Sequence, residues 1–68
     1  MNKTSANKKN TLTERQQEIL GCILKGMNNH QISSELNISY GTAKLMSFRT
    51  LQKLGLSSKN EAMAKFLT

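Results

Sequence analysis

Leu12-Thr13-Glu14-Arg15-Gln16-Gln17-Glu18-Ile19-Leu20, then Gly26-Met27-Asn28-Asn29-His30-Gln31-Ile32-Ser33, then Ser39-Tyr40-Gly41-Thr42-Ala43-Lys44, closing on Lys53-Leu54-Gly55, alternates helix starts with helix stops. Thr13-x-x-Gln16 has capping-box spacing, in which the hydroxyl accepts from a backbone N–H and the Gln side chain reaches back. Leu12, just before the cap, can pack down as a staple. Ile19, Leu20, Ile23 and Leu24 then share one helical face. Gly26 predicts the end of this helix, because glycine tolerates the left-handed conformation after a helix. Asn28 is placed to cap a short second helix, from about Asn29 to Leu36. Ile32 and Leu36 turn inward there, and Ser33 is small enough for close helix contact. Asn37 can end it in a left-handed conformation, with Ile38 anchoring the turn. Ser39 caps a third and longest helix, Tyr40 to Leu54, which Gly55 stops. Ser58-x-x-Glu61 repeats the capping-box spacing and opens a last helix.

The chain therefore reads as all-α, with four helices. It has no proline and no alternating apolar pattern, so strands are not expected, and there is no internal repeat. Ile19, Ile23, Ile32, Leu36 and Leu54 are expected at the centre of the core. On the third helix, Ala43, Ser47, Thr50, Leu51 and Leu54 face inward. Thr42, Lys44, Leu45, Phe48, Arg49 and Gln52 are left outward. In the last helix Ala62 and Phe66 are expected to pack inward, with Met63 and Leu67 at the rim.

Ten Lys and Arg stand against four Glu, a net charge of +6 on 68 residues. A small basic domain suits a polyanionic partner, usually nucleic acid. Residues 1–10 are polar, carry Lys3, Lys8 and Lys9, and read as a disordered basic N-terminal arm, which leaves residues 11–68 as the domain. Cys22 is the only cysteine, so an intrachain disulfide or a zinc site is excluded; it reads as a small core hydrophobe. The four methionines read as filler rather than a metal box, and no cofactor is expected. Glu14, Glu18, Glu35 and Glu61 are too scattered for an acid/base pair, and no nucleophilic triad or glycine-rich phosphate loop is present, so the chain does not read as an enzyme. No apolar run approaches the length of a membrane span and no signal-peptide core is seen, so a cytoplasmic, nucleoid-associated protein is expected.

The order and spacing of these elements resemble the helix-turn-helix module of the LuxR family of bacterial regulators, also called the GerE type. The resemblance runs from about Leu12 to Leu67. It rests on the Leu-Thr-x-Arg entry, Glu18, Gly26, Asn29, Ile32, Leu36, Ser39, Thr42, Lys44, Lys53-Leu54-Gly55 and Glu61-Ala62, in register without a gap. It implies a DNA-binding transcriptional regulator whose third helix enters the major groove while the second crosses the backbone. By that resemblance the DNA-binding residues are Asn29, His30, Tyr40, Thr42, Lys44, Leu45, Arg49 and Lys53. Lys44 and Arg49 reach phosphate or guanine, Lys53 phosphate, and Asn29 stands at a helix N-terminus suited to phosphate. The last helix is the implied homodimer surface, through Lys59, Met63, Phe66 and Leu67. The chain departs from the family pattern at Gln16, usually Glu, at Gly41, usually basic, at Ala43, usually Val, at Leu45, usually polar, and at Met46, usually His.

Leu45 and Phe48 place apolar surface where polar readout is expected. They could touch thymine methyls, or form a patch for a protein partner. The alternative function is therefore a small modulator that pairs with another LuxR-type regulator or with the transcription machinery and binds DNA weakly or not at all. The family usually joins this module to a receiver or ligand-binding domain. Met1 and the polar arm fit a complete reading frame, with signal input through abundance or a partner; a fragment of a longer regulator is the other expectation.

Overall fold

A computed structural model describes residues 12–67; the expected basic arm lies outside the described residues. Four helices follow in order: α1 Glu14–Leu24, α2 Asn29–Leu36, α3 Tyr40–Lys53 and α4 Lys59–Leu67. Among the described residues there is no strand. α3 packs against both α1 and α2, and α4 packs against α1, so α3 has a covered side and an open one.

Each start is held by the cap its sequence carries. Thr13 and Gln16 form a reciprocal box at α1: Gln16 N donates to Thr13 Oγ1 (3.1 Å) and Thr13 N to Gln16 Oε1 (2.9 Å). Asn28 and Gln31 do the same at α2, both bonds at 2.8 Å. Gln31 thus adds a second half to the cap expected from Asn28 alone. Ser39 Oγ accepts from Thr42 N (3.1 Å) at α3. The box at α4 is offset. Glu61 N donates to Ser58 Oγ (3.2 Å), but the Glu61 carboxylate accepts from Ser57 N (2.9 Å) instead of from Ser58 N.

The first three helices stop alike. Gly26, Asn37 and Gly55 hold positive φ of 85°, 57° and 73°. In each case the next residue's N–H reaches back a full turn and a half: Met27 to Cys22 O, Ile38 to Ser33 O and Leu56 to Leu51 O. That six-to-one bond reverses the chain and satisfies a terminal carbonyl. It also aims an apolar residue back at the domain, and Met27, Ile38 and Leu56 all pack against the core. Only Asn37, Ile38 and Ser39 separate α2 from α3, the short connection of a helix-turn-helix.

The core is Ile19, Cys22, Ile23, Ile32, Ala43, Leu51 and Ala62. Ile19, Ile23 and Ile32 sit at its centre as expected, each essentially without exposure. Leu36 and Leu54 do not. Leu36 is half-buried at the edge, and Leu54 is a half-buried cap residue past the end of α3. The inward face of α3 is therefore centred on Ala43, Ser47, Thr50 and Leu51. Phe66 also departs from expectation: it is 42% exposed, because Ala62 alone of α4 is buried. The residues that follow Met63 in α4 are all exposed.

Candidate nucleic-acid interface

The open side of α3 carries the residues expected there: Thr42, Lys44, Leu45, Phe48, Arg49 and Gln52 are all exposed. At about 100° per residue, Gly41, Leu45, Phe48 and Gln52 run along the crest opposite the buried stripe. Lys44 then flanks the crest on one side, with Thr42 and Arg49 on the other. Among the described residues the one ion pair is Arg15 with Glu18, on α1. The charges of Lys44 and Arg49 are thus left unneutralised, and α3 itself contains no acidic residue.

The start of α2 lies beside the start of α3. The rings of His30 and Tyr40 stack, centroids 4.1 Å apart and 20° from parallel. Tyr40 is 44% exposed and His30 is exposed, so the stacked pair forms part of the outer surface. The Asn28 box satisfies the N–H of Gln31. The N–H groups of Asn29 and His30 remain, as first-turn donors do, without helix-internal partners.

Asn29 is held more firmly than a surface residue. Its Oδ1 accepts from Ser47 Oγ of α3 (3.1 Å) and from Lys59 Nζ of α4 (2.8 Å). One carboxamide oxygen thus joins three helices. Because the oxygen is occupied twice, Asn29 has left to donate its amide nitrogen and its backbone N–H. Lys59, expected on a dimer surface, is half-buried at this node, and burial lowers its pKa from the ordinary lysine value. No sequence spacing signalled the node, since its partners lie 18 and 30 residues from Asn29.

Lys53 is set apart from the crest. Its Nζ lies 3.4 Å from Gln16 Oε1, the same oxygen that caps Thr13. It ties the end of α3 to the start of α1. Thr42, besides the backbone bond to Ser39, accepts from Ser39 Oγ at its own hydroxyl (2.9 Å). The structure therefore gathers Asn29, His30 and Tyr40 at one end of the open face, spreads Thr42, Lys44, Leu45 and Arg49 along it, and leaves Lys53 at the other end.

α4 exposes Leu67 (57%) and Phe66, with Lys65 Nζ 5.8 Å from the Phe66 ring centre. Met63 is half-buried and turns toward Gly26, where its Cε would lie 3.8 Å from an added Cβ. Cys22 is buried, and burial, followed by the charge of Glu35, raises its thiol pKa, which disfavours a reactive thiolate. No helix among the described residues is long and apolar enough to cross a membrane, and no cluster of three or more metal-ligating side chains occurs among them.

Residues 10–66 match the family model described as bacterial regulatory proteins, luxR family. Over 52 residues the chain is 38% identical to the HTH-type transcriptional regulator MalT of Yersinia pestis (strain Pestoides F) and of Yersinia pseudotuberculosis serotype O:1b (strain IP 31758). It is 36% identical to the protein of the same name from Klebsiella pneumoniae subsp. pneumoniae. These alignments cover 76% of this chain and 6% of each of those proteins, so the chain corresponds to a small part of them. No solved structure matches the chain significantly.

Proposed function

Since the chain belongs to the luxR family of bacterial regulatory proteins, we propose that it regulates transcription by binding duplex DNA, with α3 in the major groove and α2 across the phosphate backbone. The observation that carries this reading is the pair of exposed, unneutralised cations, Lys44 and Arg49, on the two flanks of α3. A helix laid in a groove has a phosphate wall on either side, and cations on both flanks match both walls. Asn29, with its amide nitrogen left free, and the first-turn N–H groups of α2 supply a further phosphate contact. His30 and Tyr40, stacked across the α2–α3 junction, would line the same backbone.

The proposed working form is a homodimer through α4, with Phe66, Leu67 and Met63 as its apolar contact and Lys59 behind it on the Asn29 node. Two copies related by a two-fold axis would place their α3 helices about one DNA turn, ~34 Å, apart. A nucleoid location follows from the same reading. A second reading is favoured by one observation, the exposure of Leu45 and Phe48 at 48% and 60%. On it, α3 presents those side chains to another LuxR-type regulator or to the transcription machinery.

Fluorescence anisotropy against mixed-sequence duplex across a salt series tests the first reading. Each neutralised phosphate adds about 0.9 to the slope of log K against log salt. Lys44→Ala and Arg49→Ala should each weaken binding across sequences and each reduce that slope by roughly one contact's worth. Unchanged affinity for every duplex at low salt in both variants would show that α3 does not meet DNA.

A further inference from the structure

Between Gly41 and the polar Gln52, the crest of α3 is apolar where its flanks are cationic. Leu45 and Phe48 are the most exposed large apolar side chains of that helix. They stand three residues apart, about 4.5 Å along the axis. One turn earlier on the same crest is Gly41. Its φ is not positive, and a Cβ added there would meet nothing within 4 Å. The fold therefore does not require glycine at this position, and alanine would form helix more readily. What Gly41 supplies is an absent side chain, which lets the backbone come close to whatever the crest faces.

The charges decide between the surfaces that such a crest could meet. An apolar ridge with an unneutralised cation on each side, on a helix without an acidic residue, fits a groove whose two walls are phosphate. On the floor of the major groove the base edges carry a single apolar group, the C5-methyl of thymine. Resting on the DNA-binding reading above, we propose that Leu45 and Phe48 are specificity-determining residues that read thymine C5-methyl groups, with Gly41 setting how deeply α3 enters the groove. Their axial separation of about 4.5 Å is more than one ~3.4 Å base-pair step and less than two. The two side chains accordingly address neighbouring pairs, and the favoured sites contain adjacent thymines. Specificity here comes from apolar contact and depth of entry, with the flanking cations supplying affinity that is indifferent to sequence.

The test uses short labelled duplexes in matched pairs. One A·T-rich sequence is made with thymine or with deoxyuridine, which removes only the C5-methyl groups. One G·C-rich sequence is made with cytosine or 5-methylcytosine, which adds a methyl at the corresponding ring position and controls for changes in duplex shape. The wild-type protein should bind the thymine duplex more tightly than the uracil duplex, by roughly fourfold for each methyl buried. It should also bind methylated above unmethylated cytosine. Leu45→Ala and Phe48→Ala, with folding checked by circular dichroism, should bring both ratios toward one. Gly41→Ala should raise the melting temperature yet lower affinity for the thymine duplex. Equal binding of thymine and uracil duplexes by a wild-type protein that still binds DNA overturns the inference and leaves the DNA reading standing. Ratios that survive in the Leu45→Ala, Phe48→Ala double variant overturn it as well. So does a self-association abolished by Phe48→Ala in a protein indifferent to the methyl group, since the crest would then meet protein. Failure to bind any duplex at low salt instead removes the DNA-binding reading itself.

Discussion

Ile32→Ala should nearly unfold this domain. Ile32 is the one buried residue of α2, with no exposed surface, and it lies in the core with Ile19, Ile23, Ala43 and Leu51. The substitution deletes three carbons, about 2.4 kcal/mol of lost burial at roughly 0.8 kcal/mol each. A residual cavity raises the loss, since Ile→Ala at such sites costs about 2–5 kcal/mol in all. We take about 3–4 kcal/mol, because a helix anchored by one side chain can shift only partly into the gap. A chain this size holds only roughly 3–10 kcal/mol of total stability. The melting temperature should fall by about 12–32 °C, given ~4–8 °C per kcal/mol in a domain of this length. Leu36→Ala, at a half-buried site on the same helix, should fall by clearly less, and Ile32→Val by about 0.5–1.5 kcal/mol. Urea titrations followed by circular dichroism at 222 nm would measure all three. An Ile32→Ala unfolding free energy within about 1 kcal/mol of wild type, or a larger loss at Leu36 than at Ile32, would refute the assignment of Ile32 as the anchor of α2.

Thr50 is fully buried and its hydroxyl has no hydrogen-bond partner, so Thr50→Val should stabilise by about 1 kcal/mol; a loss of stability on urea titration would mean that the hydroxyl is satisfied. Met63→Glu places a charge on the proposed α4 contact, whose area should fall well under the ~1,600 Å² of a standard interface. It should lower cooperative binding to a palindromic site while the fold survives, and sedimentation equilibrium showing a wild-type protein that loads DNA strictly one copy at a time would sink the dimer. Burial lowers the folded-state pKa of Lys59. Between that lowered value and the ordinary lysine value the unfolded chain binds more protons, so this group's contribution to stability grows as pH rises through that window. Comparing wild type with Lys59→Met, the urea midpoint difference should move in favour of wild type from pH 7 to pH 10; a constant difference, or one moving the other way, would contradict the desolvation of Lys59.

The helix boundaries were legible because their signals are local. A cap and its partner lie three residues apart, as Thr13–Gln16 and Ser39–Thr42 do, and a left-handed stop is written in the residue itself, as at Gly26, Asn37 and Gly55. The open face of α3 followed from one period, since four inward positions fix the direction of the other side chains. What depended on contacts between helices was less legible. Leu54 keeps the inward period of α3 but falls on the turn that leaves it, so it never reaches the core. Phe66 has the spacing of a core residue but stays exposed, in a helix whose one buried residue is Ala62. The Asn29–Ser47–Lys59 node joins residues from three helices and has no spacing that a sequence could show. The N-terminal arm lies outside the described residues, and its reading as a basic arm rests on composition alone.

Whether α3 is the surface that meets DNA can be read residue by residue. Titrating the ¹⁵N-labelled protein with mixed-sequence duplex at low salt, and following each amide in a two-dimensional NMR spectrum, maps the contact directly. With α3 in the groove, the largest shifts fall on Gly41, Thr42, Lys44, Leu45, Phe48 and Arg49, with Asn29 and His30 at the start of α2. Shifts concentrated instead on α1, or confined to α4 with α3 unmoved, would contradict α3 as the surface that meets DNA.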